Sequence, residues 1–245
     1  MPDLGPFQLD TIVAGNCLDV MRQMPDGCVD LIVADPPYGA KGRATWDSWA
    51  GTDWIAPMPR LLRSGGSAYV FMGYTNAPDT ASALRKVLTE RTWVIWWKRN
   101  SALSQVKCWK SQHEIIFYLV KPGADYIWNR WDILEPFDTK GGEKDSPHSG
   151  KVPGNVWQIP GVNWCSKERT AHPTQKPVSV LDRIIRASSV EGDTIFDPFI
   201  GSGTTAVAAK KLGRHYFGCD INPEYVEMAR ARVAKIDGVQ LELAV

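Results

Sequence analysis

Short apolar runs alternate with segments of helical length along most of the chain. The runs are rich in Val, Ile and aromatic residues without polar alternation, which is typical of strands buried on both faces of a sheet. The predicted strands are residues 11–14, 29–34, 67–72, 93–97, 114–120, 194–196 and 215–219. The predicted helices between them are residues 78–90, 177–189 and 204–212. This alternation predicts a largely parallel sheet covered by helices, with residues 114–120 as an antiparallel strand near one edge.

The last helix has the clearest start. Asn222 is a typical N-cap, Pro223 suits the first helical position and Glu224 favours the positive end of the helix. One face of this helix collects the apolar residues Val226, Ala229, Val233 and Ile236. We therefore expect that face to pack on the sheet.

Residues 122–171 break the alternation, because eleven of these 50 residues are Gly or Pro. A long irregular insertion in a compact domain is usually functional or disordered. Four Trp in this stretch favour an ordered insertion. We expect one domain formed by residues 1–121 and 172–245, interrupted by residues 122–171.

The composition narrows the class of protein. The chain has 245 residues, of which 44% are hydrophobic and 22% charged, as in ordinary globular domains. No apolar stretch approaches the roughly 18 residues of a membrane span, and the N-terminus lacks the features of a secretory signal. The five Cys include no CxxC pair, so we expect neither a disulfide framework nor a metal site, and a cytoplasmic location. Because the net charge is only +1, a nucleic-acid partner would need a local basic face.

A glycine turn follows the predicted strand 194–196 and opens a helix. Gly201, Gly203 and Ala206 have the GxGxxG/A spacing that lets backbone approach a nucleotide closely. The next strand ends at Asp220, where a carboxylate can accept both hydroxyls of a ribose, and Ile221 could wall an adenine slot. The turn alone does not distinguish nicotinamide, flavin and S-adenosylmethionine as the ligand.

The sharpest local signal is Asp35-Pro36-Pro37-Tyr38, directly after the predicted strand 29–34. The prolines end the strand ladder and fix a rigid turn at the edge of the sheet where ligands bind. Asp35 and the Pro36 carbonyl are two acceptors that could hold the N–H bonds of an exocyclic base amine and free its lone pair. The Tyr38 ring offers a face on which an extruded base can stack.

These motifs together resemble those of the DNA amino-methyltransferases. The Asp-Pro-Pro-Tyr motif precedes Asp197-Pro-Phe-Ile-Gly-Ser-Gly203, which is the order of the permuted β group of that family. Residues 172–177 (HPTQKP), 218–225 and 15–18 resemble further motifs of the family. The resemblance covers most of the chain except residues 122–171, where the family has its target recognition region.

The resemblance implies a Rossmann-like α/β methyltransferase fold with a seven-stranded, mostly parallel sheet. It implies methyl transfer from S-adenosylmethionine to N6 of adenine in DNA after base flipping, with Asp35, Pro36 and Tyr38 as catalytic residues. It implies these cofactor-binding residues: Asn16, Cys17, Asp35, Lys176, Asp197, Phe199, Gly201, Gly203, Thr204, Thr205, Asp220 and Ile221. The family usually has Asp at the position of Asn16, although Asn can also hydrogen-bond an adenine edge.

A basic stretch is the candidate DNA face. Residues 85–113 hold seven Lys or Arg against one Glu. Phosphate contacts dominate non-specific DNA affinity, so a local cluster suffices. The predicted DNA-binding residues are Lys41, Arg43, Lys98, Arg99, Lys107 and Lys110.

Several alternatives stay open. Asp at the first motif position resembles the adenine enzymes more than the cytosine-N4 enzymes, which often have Ser, yet a cytosine-N4 methyltransferase is the main alternative. A Rossmann-like dehydrogenase and a DNA-binding module without catalysis are the others. The sequence leaves open the target site, pairing of two copies as a homodimer, and a partner endonuclease in a restriction-modification system.

Overall fold

The computed structural model describes residues 3–39, 48, 50–98, 107, 109–137 and 150–243. Within them, eight strands form one sheet in the order β1-β8-β7-β2-β3-β5-β4-β6. The strands are β1 (Thr11–Ala14), β2 (Val29–Ala34), β3 (Leu62–Met72), β4 (Thr89–Trp97), β5 (His113–Val120), β6 (Val156–Gln158), β7 (Thr194–Asp197) and β8 (His215–Asp220). The helices are α1 (Cys17–Gln23), α2 (Met58–Leu61), α3 (Ala77–Arg85), α4 (Val178–Ser188), α5 (Thr204–Lys211) and α6 (Pro223–Leu243). Short 3-10 turns occupy Asp53–Ile55 and Arg130–Ile133.

The sheet is mostly parallel, and β5 is its antiparallel strand. It runs antiparallel to both neighbours, β3 and β4, whereas the other five neighbouring pairs are parallel. This confirms the predicted antiparallel strand in the region of one edge.

The sheet has one strand more than the expected seven, because β6 comes from within residues 122–171. It pairs in parallel with β4 and brings Trp157 opposite Trp96. The backbone N–H of Ile95 donates to the carbonyl of Asn155 at 2.7 Å, and the Trp96 indole N–H donates to the carbonyl of Ile159 at 2.8 Å. A three-residue strand held by such distant partners has no periodicity of its own to predict it.

Three helices differ from the sequence prediction, and one of them is the unpredicted four-residue helix α2 (Met58–Leu61). The predicted helix 78–90 ends already at Arg85 as α3, because Thr89 begins β4. The short helix α1 was not predicted, although Asn16 caps it by accepting the backbone N–H of Leu18 at 2.9 Å. The predicted cap of α6 is confirmed, since Asn222 accepts the backbone N–H of Glu224 at 2.9 Å.

Apolar side chains cover both faces of the central strands. Ile32 and Phe196 are buried in one core cluster, and Leu31 and Ile195 in the other, on the α4 side of the sheet. These neighbouring residues of β2 and β7 thus alternate between two cores, which explains the uninterrupted apolar runs. No helix in the described ranges is both long and apolar enough for a membrane span.

The order of the strands creates a crevice between β2 and β7. These two strands are parallel neighbours, but the chain leaves β2 towards β3 on one side and leaves β7 towards β8 on the other. Ligands of open α/β sheets bind at such a switch point, outside the carboxyl ends of the strands. Asp35 directly follows β2 and Asp197 ends β7, so the two motifs meet there.

Candidate active site

A cavity of about 520 Å³ opens at the carboxyl ends of β2, β7 and β8. One end of it, the amine end, is formed by the turn Asp35 to Tyr38 with Glu114 and Lys176. The other end, the cofactor end, is formed by the glycine turn, Asn16 and Asp220. The catalytic and cofactor motifs predicted from the sequence therefore share one cavity.

At the amine end, both carboxylate oxygens of Asp35 already have partners. Oδ1 accepts a hydrogen bond from the Tyr38 hydroxyl at 2.7 Å, and Oδ2 pairs with the Lys176 ammonium at 2.6 Å. Asp35 stands here because the Pro36-Pro37 pair ends the strand directly behind it. The sequence predicted Lys176 as a cofactor residue, and the structure places its ammonium on the carboxylate of Asp35, the residue predicted to be catalytic.

Glu114, near the start of β5, is a second acceptor for the same two donors. Its Oε2 lies 3.2 Å from the Tyr38 hydroxyl and 3.3 Å from the Lys176 ammonium. Its Oε1 pairs with the Lys98 ammonium. The predicted site residues did not include Glu114, although a carboxylate at the head of an otherwise apolar run is a signal that could have identified it.

The charges of this cluster hold one another in place. Although burial by itself raises the pKa of Glu114, its pairs with Lys176 and Lys98 lower it to about 2. Burial raises the pKa of Asp35, while Lys176 opposes the rise. The pKa of Tyr38 lies well above its usual range, because burial and the charge of Asp35 disfavour the phenolate. Glu114 is therefore ionised and Tyr38 protonated near neutral pH.

The Tyr38 ring is fixed from several sides. The side-chain amide of Asn76 donates to the Tyr38 carbonyl at 2.6 Å, and the Lys176 ammonium lies 5.2 Å from the centre of the ring. A Cβ at Gly73 would come within 3.3 Å of the Tyr38 ring. The ring thus packs closely against this glycine, and its stacking on a base stays a prediction.

At the cofactor end, Asp220 is held by backbone groups. Its Oδ2 accepts the N–H of Gly201 at 3.0 Å, and its Oδ1 accepts the N–H of Asn222 at 2.8 Å. Burial raises the pKa of Asp220, and these two donors oppose the rise. Next to it, Ile221 lines the cavity with 75% of its surface exposed.

Asp197 orders the glycine turn from inside. Its Oδ1 accepts the backbone N–H of Phe199 at 2.9 Å, and its Oδ2 accepts the Thr205 hydroxyl at 2.6 Å. Burial raises the pKa of Asp197 to about 7 against these two hydrogen bonds. The Thr204 hydroxyl donates to the carbonyl of Lys176 at 3.1 Å. Thr204 and Thr205, predicted as cofactor-binding residues, line the cavity, and their hydroxyls are engaged within the protein.

Packing within the protein explains the glycines of the turn. Gly201 and Gly203 have φ of +48° and +77°, a region that other residues rarely adopt. A Cβ at Gly203 would lie 2.8 Å from the Cβ of Ala229, and one at Gly201 would lie 3.0 Å from Nε2 of His172. The requirement for glycine at these positions therefore arises within the protein and does not depend on a ligand.

The segment before α1 completes the cofactor end. The backbone N–H of Gly15 donates to the carbonyl of Asp220 at 2.9 Å, which brings Asn16 and Cys17 to the cavity wall. Because Oδ1 of Asn16 caps α1, its Nδ2 is the group that remains to donate to a ligand. Burial raises the pKa of the Cys17 thiol to about 11, so this thiol is neutral.

The predicted DNA face divides into three groups. Lys41, Arg43 and Arg99 lie outside the described residues. Lys107 and Lys110 are exposed, as a phosphate contact requires.

Lys98, the remaining member of that face, needs a correction. Its ammonium pairs with Glu114 and lies 4.2 Å from the centre of the Trp96 ring. This inward position argues against the predicted phosphate contact, because the charge is already compensated in a partly buried site. Lys98 belongs to the charge cluster of the amine end.

His172 is another residue to which the sequence assigned no separate role. Its ring lies 4.5 Å from the Tyr225 ring, and it also lines the cavity. Burial and the positive charges of Lys176 and Arg232 lower the pKa of His172 to about 4, so it is neutral near pH 7. Among the residues that the structure describes, no group of three or more His, Cys, Asp or Glu could hold a metal ion.

Comparison with known proteins identifies relatives across most of the chain. A family profile for DNA methylases of the N6/N4 type matches residues 29–231. DNA adenine methyltransferase YhdJ of Escherichia coli (strain K12) is 36% identical over 241 residues, which cover 91% of this chain and 82% of the relative. Type II methyltransferase M.HpaI of Haemophilus parainfluenzae is 31% identical over 237 residues, which cover 91% and 73%.

Solved structures share the fold. The M1.HpyAVI–SAM complex superposes with a TM-score of 0.65 at 24% identity and covers 91% of this chain and 98% of its own. The PvuII DNA methyltransferase, described as cytosine-N4-specific, has a TM-score of 0.69 at 16% identity and covers 90% and 85%.

Proposed function

The chain belongs to the family of N6/N4 DNA methylases, and on that premise we propose that it transfers the methyl group of S-adenosylmethionine to N6 of adenine in DNA. It is a DNA methyltransferase with the α/β fold of that class. The observation that carries the proposal is that Asp35 and Asp220 line one cavity across the switch point. An acceptor for a base amine and an acceptor for a ribose are therefore neighbours.

Adenine is the preferred base for two reasons. The relative YhdJ, 36% identical to this chain, is named a DNA adenine methyltransferase. The catalytic motif begins with Asp35 rather than with Ser, which the cytosine-N4 enzymes often have at this position.

The residues at the cofactor end fit S-adenosylmethionine. Asp220 presents a carboxylate that backbone donors hold in place, which suits the two ribose hydroxyls. Ile221 offers an exposed apolar wall for the adenine, and Asn16 retains a donor for an adenine edge. When bound, the cofactor supplies a methyl group that its positive sulfonium has already activated.

The residues at the amine end then act on the base. Asp35 and the Pro36 carbonyl accept the two N–H bonds of the amine and draw its lone pair out of the ring. That lone pair would bond to the methyl group that the bound cofactor would supply, with the C–S electrons leaving with sulfur. The proton that the nitrogen then loses would pass from its N–H to the Asp35 carboxylate. Positioning and electrostatics supply the catalysis, and no covalent bond to the protein is needed.

The target base must leave the duplex to reach Asp35, because the amine lone pair is inaccessible while the base is stacked. We assign the Tyr38 ring to stacking on the extruded base, worth roughly 1–3 kcal/mol. We assign the exposed Lys107 and Lys110 to phosphate contacts, together with Lys41, Arg43 and Arg99.

Analysis of modified nucleosides tests this function. The purified protein is incubated with S-adenosylmethionine and random-sequence DNA, and the digested nucleosides are identified by mass spectrometry. We expect N6-methyldeoxyadenosine, and modification-sensitive sequencing of the same DNA then reports the target site. N4-methyldeoxycytidine alone would replace adenine by cytosine, and no modified nucleoside would contradict the function.

A further inference from the structure

Glu114 duplicates the hydrogen-bond acceptors of Asp35. The Tyr38 hydroxyl contacts Asp35 Oδ1 at 2.7 Å and Glu114 Oε2 at 3.2 Å. The Lys176 ammonium contacts Asp35 Oδ2 at 2.6 Å and Glu114 Oε2 at 3.3 Å. Each donor thus has a shorter contact to Asp35 and a longer one to Glu114.

This arrangement makes Tyr38 and Lys176 competitors of the base amine for Asp35. Each carboxylate oxygen has two lone pairs, but Tyr38 and Lys176 already donate to one on each oxygen, and the Lys176 charge weakens Asp35 as an acceptor for the amine. The Lys176 ammonium cannot simply turn to water, because its side chain is only 9% exposed. A buried ammonium without a partner would cost several kcal/mol. A second acceptor within reach of both donors would let Asp35 release them and bind the amine more strongly.

We propose that Glu114 is a positioning residue that takes over the Tyr38 hydroxyl and the Lys176 ammonium when the target amine binds Asp35. The proposal rests on the proposed function, since it concerns the same amine. A shortening of the two longer contacts accomplishes the exchange without moving the backbone. Asp35 is the catalytic residue that touches the base, and Glu114 acts on it through Lys176 and Tyr38.

Lys98 keeps Glu114 in position for this exchange. It pairs with Oε1, so that Oε2 remains directed at Tyr38 and Lys176. The antiparallel pairing of β4 and β5 sets this contact, because it places Glu114 opposite Trp96, close to Lys98 in the chain. The cluster thus pairs two lysine side chains with two carboxyl groups.

Glu114→Gln removes the charge and nearly preserves the shape. Lys176 then has Asp35 as its nearest anionic partner, so Asp35 is released less readily and turnover falls. The loss should be roughly 10- to 100-fold, the scale of one hydrogen bond to a charged group.

The same variant shifts the pH profile in a defined direction. The negative charge of Glu114 raises the pKa of Asp35, so its removal moves the acid limb of the turnover profile to lower pH. The titratable and charged groups that interact with Asp35 are Tyr38, Lys98, Glu114, Lys176 and Asp197. Only Glu114 changes in the variant, so a shift in this direction reports the loss of its charge.

The experiment compares three variants with the wild type. Glu114→Gln tests the proposal, Glu114→Asp keeps the charge, and Glu227→Gln is a matched control at an exposed helix site paired with Arg230. Turnover of adenine-containing DNA is measured at saturating S-adenosylmethionine from pH 5 to 9, and calorimetry gives the affinity for the cofactor. We expect the Gln variant at position 114 to combine slow turnover, an acid limb at lower pH and wild-type cofactor affinity, and Glu114→Asp to restore the wild-type limb.

Two results would overturn the role of Glu114. One is an active wild type with unchanged turnover in the Glu114→Gln variant. The other is slow turnover with an unmoved acid limb, which is the result of a merely structural residue. A wild type that methylates no DNA would contradict the proposed function itself, which separates that failure from the other two.

Discussion

The two ends of the cavity hold their carboxylates in different ways. At the cofactor end, Asp220 is bound by two backbone N–H groups and Asp197 by one backbone N–H and a neighbouring hydroxyl. At the amine end, Asp35 and Glu114 are bound by side chains alone among the contacts that the structure describes. Fixed backbone donors hold a carboxylate in one orientation for a ligand, whereas a carboxylate held by side chains can exchange its partners.

Lys176 connects these two ends. Its carbonyl accepts the hydroxyl of Thr204 in the glycine turn, while its ammonium pairs with Asp35. The segment before α4 therefore ties the position of the catalytic carboxylate to the turn that would hold the cofactor. Because the two ends are connected in this way, variants at one end test whether the other end is affected as well.

The largest expected effect is the loss of turnover in a variant that changes the amine end alone. Asp35→Ala removes the acceptor that frees the amine lone pair, and it should lower turnover by about 10²–10³-fold or more, the scale of one lost transition-state hydrogen bond. Transfer of a radiolabelled methyl group to DNA measures the loss. We expect the same variant to keep a nearly normal affinity for S-adenosylmethionine. Near-normal turnover of Asp35→Ala would refute the mechanism.

The next largest effect is the loss of cofactor affinity in a variant that changes the cofactor end alone. Asp220→Ala should weaken S-adenosylmethionine binding by about 1–3 kcal/mol, the scale of a lost charged hydrogen bond. Calorimetry measures the dissociation constant, and circular dichroism checks that the variant is folded. An unchanged affinity in a folded variant would remove the ribose contact from Asp220.

At the cofactor end, we expect His172 to make the stability of the protein depend on pH. The pKa of His172 is lowered from 6.5 to about 4, so the unfolded chain binds a proton more readily than the folded protein. Its contribution to stability is thus complete above pH 6.5 and is lost as the pH falls through about 4. Allowing for partial exposure, the loss should be about 1–2 kcal/mol. Urea unfolding at pH 7.5 and pH 4 measures the unfolding free energy of the wild type and of His172→Gln. We expect the wild type to lose more of this free energy than the variant between the two pH values, and equal losses would contradict the effect of His172.

The smallest expected effect is on the salt dependence of DNA binding, and it distinguishes the exposed Lys107 and Lys110 from Lys98. Replacing Lys107 and Lys110 by Ala should flatten the salt dependence of DNA binding by about 0.9 for each phosphate that the variant no longer neutralises. Lys98→Ala should leave that slope unchanged, because its charge is used by Glu114. Fluorescence anisotropy with labelled DNA at several salt concentrations provides the slopes. Equal slopes for the double variant and the wild type would place the DNA face elsewhere.

The features that could be predicted from the sequence are those that depend on local contacts. The bounds of β1 and β2 agree with the prediction, because an apolar run buried on both faces is visible in the chain itself. The meeting of Asp35 and Asp197 also follows from local reasoning, since each stands at the end of a parallel strand.

Contacts between distant residues escaped the sequence reasoning. Lys98 was assigned to DNA because a count of basic residues cannot show that antiparallel pairing directs one of them to Glu114. The strand β6 was missed because its three residues depend on partners in β4.

A titration of single-turnover rate against S-adenosylmethionine concentration tests the separation of the two ends most directly. The wild type, Asp35→Asn and Asp220→Ala are mixed with excess cofactor and a limiting amount of target DNA. We expect a lower plateau with an unchanged half-saturation concentration for Asp35→Asn, and a raised half-saturation concentration with a nearly normal plateau for Asp220→Ala. If both variants changed the plateau and the half-saturation concentration in the same proportion, the two ends of the cavity would not act separately.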